Sequence, residues 1–539
     1  MNDKIDQILL LLRNIDNRFD RIEGRLGHVE VTIASLTESK GHSPALEEEF
    51  RLRSKALVLD KPEDEDVILC VDFGTARSKA FGTKGGDQEL LDLALGTRAG
   101  QAANPHSLLS CVFISDEGLI FFGERAAAMS EHAVGRGSRE RFDSFKSMVT
   151  NAHPGSDLRA TRCSELANPT RAKLSEGDIL TLYLAYLTDM AALELVERHG
   201  LSRYVPRRFT TPVFRPEHQL WASNTLRRHY CEAILIADQF SSAWNEGIDA
   251  MEAERALRAA SAQHARVAFL VREAVEEPRA AFASRFRDYE PKSTRRHLIS
   301  IVDAGAGTTD FATFVVLEEK DRGMQMFLVD GSVHALRKAG NEVDRILQEY
   351  ILRQVKRNHE GLDAGVLARI RADLSLQQRR IKEDLFSTGK RDYLLADDTA
   401  GTIHLDEYLR DEALEKFSEE LRTEFQRALS GMDDSWFKEC ALGQVVVVIT
   451  GGSGRLPMVR GLGTLKFRLR STEITCSSGP AVPAWVQDIP ELINEFPQLA
   501  VALGGASREL PAMADRIFTS FAGLADQGKW VIPVAYKGQ

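Results

Sequence analysis

The sequence predicts an α/β protein built of two similar lobes and preceded by an α-helical coiled coil. Three observations lead there. Apolar residues in the first forty positions recur at steps of three and four without a miss. A pattern of buried strand, acid and glycine turn occurs twice, at VILCVDFGTARSKAFGT from Val67 and at LISIVDAGAGTTDFATFVV from Leu298. A third apolar strand, VVVVIT from Val445, runs into Gly451, Gly452, Ser453 and Gly454.

The N-terminal repeat comprises Ile5, Ile8, Leu12, Ile15, Phe19, Ile22, Leu26, Val29, Ile33 and Leu36. A heptad seam of this kind implies a left-handed coiled coil. Arg18 and Arg25 at g would meet Glu23 and Glu30 at the following e of a parallel neighbour. Isoleucine-rich d positions, with Leu and Phe among the a positions, favour three or four strands over two. The alternative is one amphipathic helix packed on the chain's own body. Residues 1–37 are therefore expected to self-associate through positions 5–36. Residues 38–66 form a linker marked by Gly41, Pro44 and the acidic run from Glu63 to Asp66, with a possible short helix over 45–58.

Composition narrows the function classes. The 539 residues are 43% hydrophobic and 27% charged, enough to bury a large core without disulfides or structural metal. The net charge of −10 argues against a general affinity for nucleic acid or anionic lipid. Arg207-Arg208, Arg227-Arg228 and Arg295-Arg296 are isolated pairs and read as solvated surface. The six cysteines show neither CxxC nor a zinc spacing, and Cys70 and Cys111 read as small buried apolar groups, which suits a reducing cytoplasm. No apolar run is read as reaching the roughly 18 residues of a membrane span. The longest, such as 445–449, are of strand length.

The paired motifs carry the chemistry. Glycines let a backbone approach phosphate oxygens and point N–H groups at them. Gly74, Thr75 and Ala76 form the first turn; Gly305, Ala306, Gly307, Thr308 and Thr309 form the second. Each strand also sets an acid beside its turn. Asp72 and Asp303 together could hold one hydrated Mg²⁺, an ion that keeps most of its waters. A nucleoside triphosphate gripped between two hairpins fits this arrangement. The third loop, from Gly451 to Arg455, would meet a flat or anionic ligand group at a helix start.

These three segments resemble the two phosphate loops and the adenosine loop of the actin, heat-shock-chaperone and sugar-kinase superfamily. The nearest resemblance is to the nucleotide-binding domain of the 70-kilodalton heat-shock chaperones, over roughly residues 67–510. It implies a two-lobed actin-like ATPase fold with ribonuclease-H-like lobes at 67–297 and 298–510, a helical insertion near 215–265, and a C-terminal tail at 511–539. It also implies bound ATP or ADP with Mg²⁺. FDSFKSMV places Lys146 at the family's catalytic lysine, and VEEPRAAFAS places Glu277 at the glutamate that orients the attacking water. KAGNEVDRIL matches a stretch that opens a second-lobe helix and sets Gly340 and Asn341 near the nucleotide, while QQRRIKEDLFS places Lys382 at the adenosine. The implied mechanism is in-line attack of water on the γ-phosphate. Lys146, Glu277, Asp303 and Thr308 would do the catalytic work, and Gly451, Gly452, Ser453 and Arg455 would hold the nucleoside.

Departures from the family pattern accompany the match. Ala76 stands where chaperones often have a second threonine, Arg77 replaces an aromatic, Asn341 replaces a glutamate, and Glu383 sits where arginine is usual. Slow hydrolysis, or a relaxed selectivity for the base, is therefore expected. About thirty residues follow Ala506 and end in LADQGKWVIPVAYKGQ, one possible strand, so the peptide-binding unit of such chaperones is not expected within this sequence. The leading expectation is an ATP-driven switch in the cytoplasm, coupled to other copies or to an unidentified protein partner through the coiled coil. A filament-forming actin-like protein, an ATP-binding scaffold with little hydrolysis and a small-molecule kinase remain as alternatives.

Overall fold

The computed structural model describes residues 50–520, apart from 87–88, 101–103, 134–138, 213, 215, 286–294, 320–322, 359–362, 396–398, 442, 480–481 and 514–518. Contacts divide the chain into two units, Met1–Arg51 and Leu52–Gln539. Only Phe50 and Arg51 of the first are described. The expected coiled coil over 5–36, and the possible strand at the C-terminal end, lie outside the described residues.

The second unit is a mixed α/β body with two principal sheets. The first is ordered Val271–Glu276, Arg207–Thr211, Val67–Asp72, Arg77–Lys84 and Glu89–Leu91, with Ser107–Leu109 also paired to Arg77–Lys84. Val67–Asp72 lies parallel to Arg207–Thr211 and antiparallel to Arg77–Lys84, and every one of its residues is buried. Covered on both faces, such a strand needs an unbroken apolar run, and VILCV supplies it.

Helix Glu176–His199 packs beside helix Pro216–Phe240. It opens on a capping box between Ser175 and Asp178 and stops where Gly200 turns left-handed at φ 64°. At 24 residues it is long and apolar enough to cross a membrane by length and composition, which corrects the expectation that the longest apolar runs are strand length. Most of it is buried inside the body. Asp189 and Glu194 interrupt its apolar run. Asp189 is held by Trp244 and Ser241, at 2.8 and 3.2 Å, and by Arg203. Helices Pro216–Phe240 and Ala250–Gln263 occupy the stretch expected to be a helical insertion.

The second sheet is ordered Lys466–Leu469, Thr472–Ser478, Gln444–Thr450, Arg295–Ala304, Thr309–Glu319, Gly323–Leu328 and Ala512–Met513. Its central strand alternates as period-two geometry requires. Leu298 and Val302 join one core with Leu347, Ile351, Leu421 and Phe425, drawn from helices Gly340–Asn358 and Glu412–Ser430. Ile299 and Ile301 join another with Phe282 and Phe314. Helix Phe496–Gly505 ties distant parts of the chain together. Phe496, Leu499, Ala500 and Leu503 pack with Cys70 and Phe81 of the first sheet.

The arginine pairs are not uniform. Arg207 and Arg208 are buried, against the expectation of solvated surface. They lie on an inner strand of the first sheet, where every residue is covered. Arg208 donates to the carbonyls of Gly505, Ser507 and Arg508, and Arg207 donates to that of Arg203 at 2.6 Å. Chain carbonyls thus take the place of solvent. The described part of the linker is likewise anchored: Ser54 donates to Asp238 at 2.6 Å and the Arg53 amide to Gln239 at 3.0 Å. Only Lys55–Val58 is helical there, as a single 3₁₀ turn.

Candidate functional site

In the first hairpin, pairing runs from Val67 opposite Lys84 to Asp72 opposite Lys79. The intervening turn excludes a side chain at Gly74, because a Cβ would lie 2.1 Å from the Arg77 carbonyl oxygen. Ser110 fastens the turn from behind. Its hydroxyl donates to the Gly74 carbonyl and its amide to the Ala76 carbonyl, both at 2.8 Å. Ser78 lies 3.0 Å from Ser110 Oγ and accepts the Gly74 amide at 3.2 Å, and Tyr183 donates to Ser110 at 3.1 Å. The sequence reading missed this support, since Ser110 and Tyr183 reach the turn only through folding.

The second hairpin pairs Arg295–Ala304 with Thr309–Glu319 and sets Asp303 opposite Asp310. Its turn is pinned from two sides. The Gly305 carbonyl accepts from the Gly340 amide at 3.3 Å and from Ser453 Oγ at 2.6 Å, and the Ala306 carbonyl accepts from the Asn341 amide at 2.7 Å. A helix start and the third glycine loop therefore fix its position. The third loop follows Gln444–Thr450 as a 3₁₀ turn, Gly452–Arg455, and a four-residue helix, Pro457–Arg460, in place of the single helix expected. Gly451 has φ 84°, and a Cβ on it would stand 2.3 Å from the Ala304 carbonyl oxygen and 2.5 Å from Asp303 Oδ1.

These pieces converge on one cleft of about 640 Å³. Asp72, Gly74, Thr75 and Ala76 line it from the first turn, and Asp303, Gly305, Ala306, Thr308 and Asp310 from the second. Gly451, Gly452, Ser453 and Arg455 line it from the third loop, with Lys146, Glu277, Gly340 and Lys382 completing the expected set. The two turns meet: the Cβ position of Gly307 is 3.7 Å from the Thr75 methyl group. Three expected ligands stand apart from the lining. Thr309 is buried and donates to the Lys338 carbonyl at 2.9 Å. Asn341 accepts from Arg379 at 3.3 Å, and Gly307 faces Thr75. Successive strand residues face opposite ways, which turns Thr309 inward when Thr308 faces the cleft.

Lys146 and Glu277 form the buried centre. Lys146 sits on helix Phe145–Asn151, anchored by Phe145 stacking on Tyr183 with ring centroids 4.9 Å apart. Glu277 opens helix Glu277–Arg285 directly after strand Val271–Glu276. Their charged atoms lie 2.6 Å apart, with the side chains 15% and 4% exposed. Burial pushes the Glu277 carboxyl up to about 8; Lys146 opposes this, while Asp303 and Asp72 add to it. Burial alone would lower Lys146, but the carboxylates of Glu277, Asp303 and Asp310 outweigh it and hold the ammonium firmly protonated. Asp310 is raised by burial, partly offset by Lys146, and accepts the Thr308 hydroxyl at 2.9 Å. Asp310 was absent from the sequence-derived site set; its place seven residues after Asp303, in a tight hairpin, was the available signal.

Lys382 donates to the Gly340 carbonyl at 3.1 Å and to Asp344 at 2.8 Å. Arg379, Glu383, Phe386, Leu456 and Pro457 also line the cleft and add apolar surface to it.

The residues fit a nucleotide with a hydrated metal ion. Glu277 Oε1 is buried and has no hydrogen-bond partner within the chain, so it is left to hydrogen-bond a bound group. A Cβ on Gly452 would meet nothing within 4 Å, leaving that backbone open to close approach. No group of three or more His, Cys, Asp or Glu is arranged as a direct metal cage among the described residues.

The mixed α/β architecture and this cleft are consistent with an actin-like ATPase fold. Within that class, the Hsp70 protein family model matches residues 258–473, consistent with an Hsp70-like nucleotide-binding domain of the actin/Hsp70 superfamily, as the sequence resemblance implied. The matched stretch includes Glu277, the second hairpin, Gly340, Lys382 and the third loop; the first hairpin and Lys146 lie outside it. The match covers less than half of the 539 residues; ATP or ADP binding with Mg²⁺, ATPase activity and chaperone-like function are properties of the family that it resembles. No curated protein matches the chain.

Proposed function

We propose that this protein is a slow, Mg²⁺-dependent ATPase whose two lobes close on ATP and reopen after hydrolysis. The observation that carries the reading is the convergence of both hairpin turns, the Lys146–Glu277 pair and the Gly451–Ser453 loop on one cleft. Backbone amides of the two turns, with the hydroxyls of Thr75 and Thr308, bind the phosphates. Asp72 and Asp303 would hold the hydrated metal ion, which would supply charge neutralisation at the phosphates. Glu277 holds the attacking water through its free oxygen, and Lys146 stabilises charge developing on water and phosphate. Glu277 keeps a proton near neutrality, which supports slow turnover and lends weight to the second reading, an ATP-binding scaffold with little hydrolysis.

The switch would act in the cytoplasm. The coiled coil at 5–36 would join three or four copies and place them on a protein partner, with neither nucleic acid nor membrane involved. A purified sample tests both halves. Calorimetry should detect ATP binding, turnover should require Mg²⁺, and Glu277→Gln should bind ATP while losing most turnover. A monomeric mass in solution would refute the coiled-coil assembly, and absence of ATP binding would refute the whole reading.

A further inference from the structure

The two hairpins carry different charges at matching places. In each, the acid before the turn faces, across the ladder, the residue seven positions on. In the second hairpin that residue is Asp310, facing Asp303. In the first it is Lys79, facing Asp72. The Lys79 ammonium is buried, lines the cleft, and lies 3.6 Å from Asp72 Oδ2. It is also 3.6 Å from the point where a Cβ on Gly74 would stand, which sets it directly under the phosphate-facing turn. The other oxygen of Asp72 accepts the Thr210 hydroxyl at 2.9 Å.

A buried ammonium demands a counter-charge, and Asp72 supplies one. The separation nevertheless exceeds the roughly 2.7–2.9 Å of a tight charge-assisted hydrogen bond, and an ammonium has three donors. The group thus retains donors for a ligand in the cleft. The same contact engages Asp72, leaving the second hairpin, with Asp303 and Asp310, as the more acidic side of the site.

We propose that Lys79 is a polyphosphate-binding residue, whose ammonium, oriented by Asp72, contacts the phosphate oxygens of a nucleoside diphosphate or triphosphate and holds it when divalent metal is withdrawn. This rests on the nucleotide reading above.

The test is calorimetric titration of ADP and of adenosine into the full chain, with Mg²⁺ and with EDTA. Wild type should lose less than about tenfold in ADP affinity on metal removal. Lys79→Met should lose roughly 10- to 100-fold more in EDTA, as expected for removing a charged donor, with adenosine affinity unchanged. Lys79→Arg should keep most of the wild-type behaviour. Should Lys79→Met leave Asp72 buried without a partner and fail to fold, the double variant Lys79→Met/Asp72→Asn removes both charges and is read in the same way. ADP binding in EDTA equal to wild type overturns the proposal. So does an equal loss of adenosine binding, which would mark Lys79 as structural. If wild type binds adenosine and ADP under neither condition, the nucleotide reading itself fails.

Discussion

Removing Lys146 should destabilise the fold by an amount that depends on pH. Glu277 is nearly fully buried, and its charged partner lies 2.6 Å away. At pH 9, above the value of about 8 to which burial raises the carboxyl, Glu277 is ionised. Lys146→Met then strands a buried charge beside Asp303 and Asp310, and breaking such a pair costs about 3–5 kcal/mol. The carboxyl can escape by taking up a proton, which limits the loss beyond that at low pH to about 1.4 kcal/mol for each pH unit above 8 and sets the expected cost at the lower end of that range. At pH 6 it already holds that proton, so the loss shrinks to one hydrogen bond, about 1–2 kcal/mol. The double variant Lys146→Met/Glu277→Gln removes both charges and should recover most of the loss at pH 9. Urea denaturation at the two pH values, run as a double-mutant cycle, reads this directly. Equal costs at pH 6 and pH 9, or a double variant no more stable than Lys146→Met, would refute the reasoning.

The same carboxyl predicts the pH dependence of turnover. Single-turnover hydrolysis should rise through about pH 8 as Glu277 ionises, and Glu277→Gln should lack that limb; a limb near pH 4–5 would mean that burial does not control this group. The sign for stability is opposite. The folded state binds the proton more tightly than the unfolded chain, so the contribution of Glu277 is full below about pH 4.5 and lost as pH rises through 8. Arg208→Leu leaves the carbonyls of Gly505, Ser507 and Arg508, the first two on buried residues, without that donor. It should cost about 2–3 kcal/mol by denaturation and speed amide exchange around residues 504–508, whereas unchanged exchange there would show that Arg208 does not hold the segment.

The strands that carry the site were the most legible part of the sequence. VILCV and VVVVI are continuous apolar runs, and LISIV is broken only by Ser300, because sheets covered on both faces demand them; each leads into a polar residue and a glycine where the chain turns. Side-chain destinations were less legible. Lys146 and Glu277 are far apart in sequence, and they entered the reading only through resemblance. Arg207-Arg208 looked like surface because charge alone argues for solvent, yet backbone carbonyls near residue 507 solvate Arg208 from within. Thr308 and Thr309 are alike in composition and differ only in which way the strand points them. Nothing in the sequence distinguishes Lys79; the ladder register sets it opposite Asp72.

The placement of helix Phe496–Gly505 against Cys70 and Phe81 has a consequence for biosynthesis. The earliest strands of the body receive part of their cover from nearly the last residues described. At a ribosomal rate of 5–20 residues per second, roughly 20–80 s separate the emergence of Phe81 from that of Ala506. Throughout that interval the nascent chain presents an unfinished apolar face, and the first hairpin acquires its final packing only after Ala506 has emerged.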